Sequence, residues 1–418
     1  MMMRIDDHAS DLRLCNGAHL ARVGPTVKRS RAIAAVAMMI GAAFFGSTLV
    51  TPIYSLYEHT FGFTKITLTL IYSVYVVGNL LALLLFGRLS DRMGRKNVGL
   101  AAMGLAIGSA LLFLFADGTA WLYAGRALGG FAVGIASGTG TAWLAELYGA
   151  DRRPDATVMA TASNMTGIAI GPLFGGLLVQ FASDPLRLPF VANVIIIVAV
   201  GILIAVWPPE TVRDRATSLR EIDFRPRIGV PKNIRARFIA PAVSAFAIFA
   251  LGGFYFALIP SVLRESLHNP SSAIAGAIVF EMAAIMVVAI VFTRALESYT
   301  AMFAALAGLI PAAGLLVTAQ FMSSMPLLLI ASALVGVVFG LGYRGGLQVV
   351  NEIAPDDRRA EVASSYFLAC FSGNSIPVIG VGVLSTVYGL DIASAALAAM
   401  VAVLAIFAIV VGVRTSRR

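Results

Sequence analysis

The stretch Gly87-Arg88-Leu89-Ser90-Asp91-Arg92-Met93-Gly94-Arg95-Lys96 decides the fold. It lies between two long apolar segments, Ile66–Phe86 and Val98–Ala116. Four cations, one carboxylate and two glycines make a very short connection between two membrane-length runs. Glycine tolerates positive φ and lets two helices turn back sharply. The cations hold such a turn at one membrane face. Asp91 is a lone acid in a basic hairpin, placed to pair with a cation or to cap a neighbouring helix.

Composition agrees. Of the 418 residues, 59% are hydrophobic and 13% charged, and the mean hydropathy is +0.87. A soluble domain carries about 25% charged residues. The apolar runs are about 20 residues long, enough to cross a bilayer. They are continuous and do not alternate, which argues against a β-barrel. The sequence therefore predicts an all-α polytopic membrane protein with twelve spans. These are 32–55, 66–86, 98–116, 121–145, 158–182, 188–207, 238–262, 272–293, 300–319, 326–349, 361–386 and 391–413.

Of the 31 Lys and Arg, 26 fall in the two tails and the even-to-odd connections, against Lys65, Arg187 and Arg264 on the other side. The positive-inside rule then puts both termini in the cytoplasm and the chain in an inner membrane. The net charge of +9 follows from this topology. The cations are dispersed over seven segments, so no nucleic-acid partner is expected. Cys15 and Cys370 fall in different environments and are not expected to pair. No Cys/His spacing suggests a metal, and no cofactor is implied. The first apolar run is too long for a signal-peptide core, so no cleaved leader is expected.

The basic, polar stretch Pro208–Arg237 divides the chain into two sets of six spans. The expected domains are a tail over 1–30, bundles over 31–207 and 238–413 joined by a linker over 208–237, and a short tail over 414–418. An internal repeat supports the division. Glu146 to Arg153 and Glu352 to Arg359 share the pattern E-x6-R at an offset of 206 residues. The same offset sets Gly373 on Gly167, Pro377 on Gly171, Arg294 on Arg88 and Glu297 on Asp91. Two similar bundles can enclose a site near the midplane and rock about it.

Several motifs carry a family resemblance. The string Gly87–Lys96 resembles motif A of the major facilitator superfamily, G-x-L-x-D-R-x-G-R-K/R, between its helices 2 and 3. On that resemblance Gly87, Asp91, Arg92, Gly94 and Arg95 form a gating loop. Leu122-Tyr123-Ala124-Gly125-Arg126-Ala127-Leu128-Gly129-Gly130 looks like motif B, whose hallmark is R-x-x-x-G. Gly167-Ile168-Ala169-Ile170-Gly171-Pro172-Leu173-Phe174-Gly175-Gly176 looks like motif C, G-x3-G-P-x-x-G-G. Gly167, Gly171 and Gly175 recur every four residues on one face, which lets helices approach closely, and Pro172 bends the helix. The expected partner of that face is helix 8. Motif C marks exporters that exchange substrate for protons. Gly46–Tyr57 resembles the first helix of drug:proton antiporters, and Pro208-Pro209-Glu210-Thr211 resembles the family's exit from helix 6. The resemblance covers nearly the whole chain from about Arg31. It implies two six-helix bundles and no enzymatic activity. Many drug:proton antiporters carry an acid in helix 1, and this chain has none between Arg31 and Tyr57.

Charged residues inside spans are costly and mark function. Glu281 is the only carboxylate deep in a span. Desolvation favours a neutral carboxyl, which suits a proton-coupling site; a protonated, hydrogen-bonded helix contact is the alternative. Arg126 should face a polar cavity or a carboxylate, with snorkelling as its alternative. Together they form the expected proton-coupling pair. Arg344 could hold an anionic substrate, with the same alternative. The family cavity lies between helices 1, 4, 7 and 10. Expected substrate-binding residues are Arg126, Arg344, Phe44, Phe45, Trp143, Asn164, Phe254, Tyr255 and Asn374. The expected function is export of a small, amphipathic, drug-like compound in exchange for protons, by a monomer. The alternatives are proton-coupled import of a small metabolite or organic acid, and a non-transporting sensor.

Overall fold

In hydrocarbon a backbone can satisfy its polar groups only within itself, so apolar runs of this length must close i to i−4 hydrogen bonds. The computed structural model describes residues 26–86, 89–212 and 228–416. Gly87 and Arg88 of the motif A string lie outside the described residues, as do Cys15 and part of the 208–237 stretch. Twelve helices of at least 19 residues follow one another. They are α1 (Thr26–Leu49), α2 (Lys65–Phe86), α3 (Arg95–Leu114), α4 (Thr119–Tyr148), α5 (Arg153–Phe181) and α6 (Leu188–Val206). Then come α7 (Arg235–Glu265), α8 (Ser272–Phe292), α9 (Ser298–Phe321), α10 (Met325–Ile353), α11 (Arg359–Tyr388) and α12 (Leu390–Ser416). Helix α1 continues through a 3₁₀ turn, Thr51–Ile53, into a short helix, Tyr54–Phe61.

Every expected span is a helix, but several helices run past it. Helix α4 has 30 residues, about 45 Å of length at 1.5 Å per residue, against about 30 Å of hydrocarbon. Hydropathy cannot see these extensions, because polar residues at the ends are still helical. Eleven of the long segments are apolar enough to cross a membrane by composition alone. Helix α4 falls short because it carries Arg126 and six glycines, and it is instead packed among α1, α2, α3 and α5. Large apolar side chains such as Ile195, Ile202, Phe292, Val403 and Phe407 face outward, as lipid contact requires.

Packing repeats at an offset of six helices. Helix α1 packs on α4, α5 and α6; α2 on α4; α3 on α4 and α6. In the second half α7 packs on α10, α11 and α12; α8 on α10; α9 on α10 and α12. The halves meet through two equivalent pairs, α5 with α8 and α11 with α2. The same 206-residue offset holds at that seam. A Cβ on Gly176 of α5 would strike the Ser272 carbonyl of α8, and one on Gly382 of α11 would strike the Thr69 hydroxyl of α2. Inside each half, Gly167 lies on the Gly41 carbonyl of α1, and Gly373 on the Phe246 carbonyl of α7.

The motif C face is therefore oriented differently from the expectation. Gly167, Gly171 and Gly175 lie against Gly41, Phe45 and Leu49 of α1, within the same half. Only Gly176, with Pro172 against Gly276, reaches α8. A spacing of four defines a face, but it does not say which neighbour the face meets.

Burial is unequal along the seam. One apolar core runs from the second half into the first through Leu49, Ile53, Leu68 and Ile71. A separate core, with Val36, Ile40, Ala136 and Leu144, fills the rest of the first half. The halves are thus sealed together near Lys65 and form separate bodies toward Asp91. Leucine at Gly176 or Gly382 should part the seal, because the Ser272 carbonyl at one site, and the Thr69 hydroxyl backed by the Lys65 carbonyl at the other, leave it no room. In a Cys15→Ser, Cys370→Ser background, Thr69→Cys is expected to react slowly with a polar maleimide and much faster once Gly382→Leu is added. Gly104→Leu, where a side chain meets open space, should leave the rate unchanged.

Candidate functional site

Between the halves lies a cavity of about 290 Å³. It runs from Thr51 and Phe256 toward the Asp91 end, past Asn79 and Leu83. The two halves line it with different chemistry. The first half contributes most of the polar groups, Ser47, Thr48, Thr51, Asn79, Arg126, Ser137 and Asn164, beside Phe44, Tyr72, Tyr75, Leu83, Met165 and Ile168. The second contributes Phe249, Phe256, Phe339, Tyr343, Phe367 and Phe371, with Met282 and Met286. Phe249 packs on Phe339 at 4.8 Å and on Tyr343 at 6.0 Å between ring centroids. Such a site has one wall for polar groups and one for an apolar body.

Arg126 is the cavity's one charged lining residue among those described. It is only 3% exposed. Nη1 donates to the Ser47 carbonyl at 2.6 Å. The guanidinium stacks over Tyr54 at 5.0 Å, Tyr75 at 5.3 Å and Phe113 at 6.0 Å. Desolvated contacts of this kind are worth about 2 kcal/mol each at best, less than the several kcal/mol lost on burying a cation. Nε has no hydrogen-bond acceptor among the described residues. Snorkelling is excluded here, because the side chain turns inward. The Oδ1 atoms of Asn79 and Asn164 are also enclosed and unpartnered. Asn374 accepts from the Tyr72 hydroxyl at 3.2 Å, across the seam.

The Lys65 end is closed by charge as well as by apolar packing. Lys65 Nζ lies 2.6 Å from Glu58 and 2.6 Å from Glu265, and it donates to Ser261 Oγ at 2.9 Å. Glu265 and Ser261 belong to α7, so this knot ties the halves. From sequence Lys65 read only as a sparse cation of an outer loop. The long-range pairing that buries it has no local signature.

At the other end the motif A loop is organised within the first half. Gly94 takes φ +96°, where a side chain is strained, and starts α3. Arg95 is buried and makes a forked contact with Glu146, Nη2 to Oε1 at 2.6 Å and Nε to Oε1 at 3.2 Å. Its Nη1 reaches Ser90 Oγ at 2.6 Å and also pairs with Asp91. Asp91 therefore takes the pairing option and caps no helix. Glu210 does the capping: its carboxylate accepts from the backbone N–H groups of Arg95 at 2.9 Å and Lys96 at 3.1 Å, where the helix dipole favours an anion. Arg92 is exposed. In the second half the repeat has changed. Glu352 accepts from Ser298 at 2.6 Å, and Arg344 holds the turn by donating to the carbonyls of Arg294 and Leu296, both at 2.9 Å.

The expected binding residues divide. Phe44, Arg126, Asn164 and Asn374 line the cavity. Arg344 does not; it clamps the α8–α9 turn, and its neighbour Tyr343 takes the wall. Phe45 packs on Phe174 at 5.4 Å. Trp143 is fully buried and donates from Nε1 to the Pro209 carbonyl at 3.2 Å. Phe254 and Tyr255 are core residues, and Tyr255 accepts from Ser332 at 3.3 Å. Glu281 is half-buried beside the wall residue Met282 and is not a wall residue itself. Its Oε2 is enclosed without a partner among the described residues, and Tyr255 is within electrostatic reach. Glu281 belongs to α8 of the second half and Arg126 to α4 of the first. Tyr72, Tyr75, Phe249, Phe339 and Phe371 are wall residues that sequence reasoning missed. No group of three possible metal ligands comes together among the described residues.

Two six-helix halves around a central cavity are the repeat architecture found in many secondary transporters. The model of the Major Facilitator Superfamily matches residues 36–378, and the chain belongs to that superfamily. It is a multi-pass membrane protein. Among solved structures, a bacterial homolog of the human lysosomal transporter Spinster, inward-facing and unoccupied, superposes with a TM-score of 0.73 at 14% identity. That match covers 93% of this chain and 98% of the other. The nucleoside transporter NupG gives 0.72 at 12% identity, covering 92% and 99%. The vesicular acetylcholine transporter of Homo sapiens is 30% identical over 181 residues, 39% of this chain and 33% of that one. Multidrug resistance protein 1 of Bacillus subtilis (strain 168) is 31% identical over 150 residues, 35% of this chain and 37% of that one. The matched stretch thus spans about a third of these relatives' length.

The Arg95 network makes a stability prediction. Removing one partner of a buried pair costs about 3–5 kcal/mol. Glu146 is 36% exposed, so Glu146→Gln should cost less, about 2 kcal/mol. Asp91 is 48% exposed, and Asp91→Asn should cost under about 1 kcal/mol. Thermal unfolding of the detergent-solubilised variants checks the order; equal losses would contradict it.

Proposed function

We propose that this transporter exports a small amphipathic organic compound in exchange for protons, by alternating access. The observation that carries the reading is the amphipathic cavity, with most of its polar groups on the first half and a mainly aromatic wall on the second, sealed at one end. On this reading the 31–207 and 238–413 bundles are the moving bodies, and 208–237 links them. The Asp91 end faces the cytoplasm of an inner membrane, with both termini on that side, as the Lys and Arg distribution suggests. The motif C string supports export over uptake, and so does the partial similarity to a multidrug resistance protein and a vesicular transporter. The protein works as a monomer.

Glu281 is the proposed proton carrier. Its enclosed, unpartnered Oε2 would gain a hydrogen-bond donor on protonation. It sits one residue from Met282, so a shift of α8 could couple its protonation to the cavity wall. Reconstitution in vesicles with a pH-sensitive dye and a panel of organic compounds tests the function. Export predicts compound-dependent dissipation of an imposed ΔpH; uptake driven by inward protons would reverse the direction. Glu281→Gln is expected to abolish ΔpH-driven transport while expression persists and gradient-free exchange of labelled for unlabelled compound continues. Full gradient-driven flux in that variant would make Glu281 a structural residue.

A further inference from the structure

The charge of the cavity is more specific than its shape. Its described walls hold one cation, Arg126, and no Asp, Glu, Lys or His. A lipophilic cation entering this space would meet a fixed positive charge with no carboxylate to offset it. An anion would be attracted by the same charge.

The guanidinium is also presented in a usable geometry. Nη1 is committed to Ser47, and aromatic rings cover the guanidinium face. Nε is enclosed and lacks an acceptor among the described residues. An arginine offers its guanidinium side-on to a carboxylate in a two-pronged contact. The protein makes the same contact elsewhere: Glu146 takes the Nε and Nη2 edge of Arg95. Arg126 lines the cavity, and no acid among the described residues pairs with it. Opposite stand Phe249, Phe339 and Phe371, an apolar wall for the rest of the ligand.

We infer that the substrate is an amphipathic organic monoanion, whose carboxylate docks on the Arg126 guanidinium and whose aromatic or alkyl body lies on the second-half wall. This rests on the transporter reading and narrows it.

The test uses one skeleton in three charge states: 4-tert-butylbenzoate, 4-tert-butylbenzamide and 4-tert-butylbenzylamine. Binding is read from ligand-induced thermal stabilisation of the purified full chain at neutral pH, and movement from counterflow in proteoliposomes. The benzoate is expected to bind at least ~tenfold more tightly than the amide, and the amine more weakly still, since ~1.4 kcal/mol is tenfold. Arg126→Gln should reduce the benzoate to the level of the amide. Arg126→Lys should keep the preference for the acid at weaker affinity. Equal binding of acid and amide by the unmodified protein overturns the inference without any variant, and so does failure of all three to bind. Counterflow of the amine in preference to the benzoate also overturns it and leaves the transporter reading standing. That reading fails separately, if no compound of any charge moves in the wider panel.

Discussion

The contact between the halves depends on two helix crossings that leave no room for a side chain on the glycine. At Gly176 and Gly382 a helix of one half comes so near a helix of the other that no side chain fits between them. Without hydrophobic driving force inside a membrane, close packing of this kind is what holds helices together. The pairs α5–α8 and α11–α2 are related by the repeat, so the seal is built twice from one plan. Everything else at the interface is arranged around these two crossings. The continuous apolar core and the Lys65 knot lie toward one end, and the cavity opens where the crossings diverge.

The repeat is faithful in packing and unfaithful in chemistry. All six helix pairings recur, yet the walls facing the cavity differ in polarity. Motif A shows the same divergence. The first half holds its loop with Arg95, Glu146 and Glu210. The second half has lost the arginine at the position equivalent to Arg95, where Ala301 stands. Glu352 turns to Ser298, and Arg344 fixes the turn from another helix. A fold needs the backbone contacts in both copies, whereas a binding site needs a given side chain only once.

What could be read from sequence follows from this. Continuous apolar runs, the basic turn and the E-x6-R repeat fix twelve helices in two halves, because each is a local pattern. Phe44, Arg126, Asn164 and Asn374 were legible as wall residues, three of them because a polar group in a span needs a reason. Tyr72, Tyr75 and Phe339 were not, because a helix apolar on every side has no stripe to point its core. Trp143, Phe254 and Tyr255 have the composition of wall residues and the burial of core residues. Arg344 shows the limit for charges too: its reach to two carbonyls of another helix turn decides its role, and that distance is set by tertiary packing. The glycine face of motif C was found correctly as a face and assigned to the wrong neighbour.

The Lys65 knot gives the closed end an ionic character. One ammonium is held between two carboxylates, with Lys65 and Glu58 largely hidden and Glu265 partly in water. Hidden charges feel little screening, whereas exposed ones separated by about 8 Å or more are screened at physiological salt. Dissolved ions therefore stabilise the parted arrangement more than the joined one. The balance between a sealed and an open Lys65 end is, by this construction, tuned by the ionic strength of the compartment that end faces.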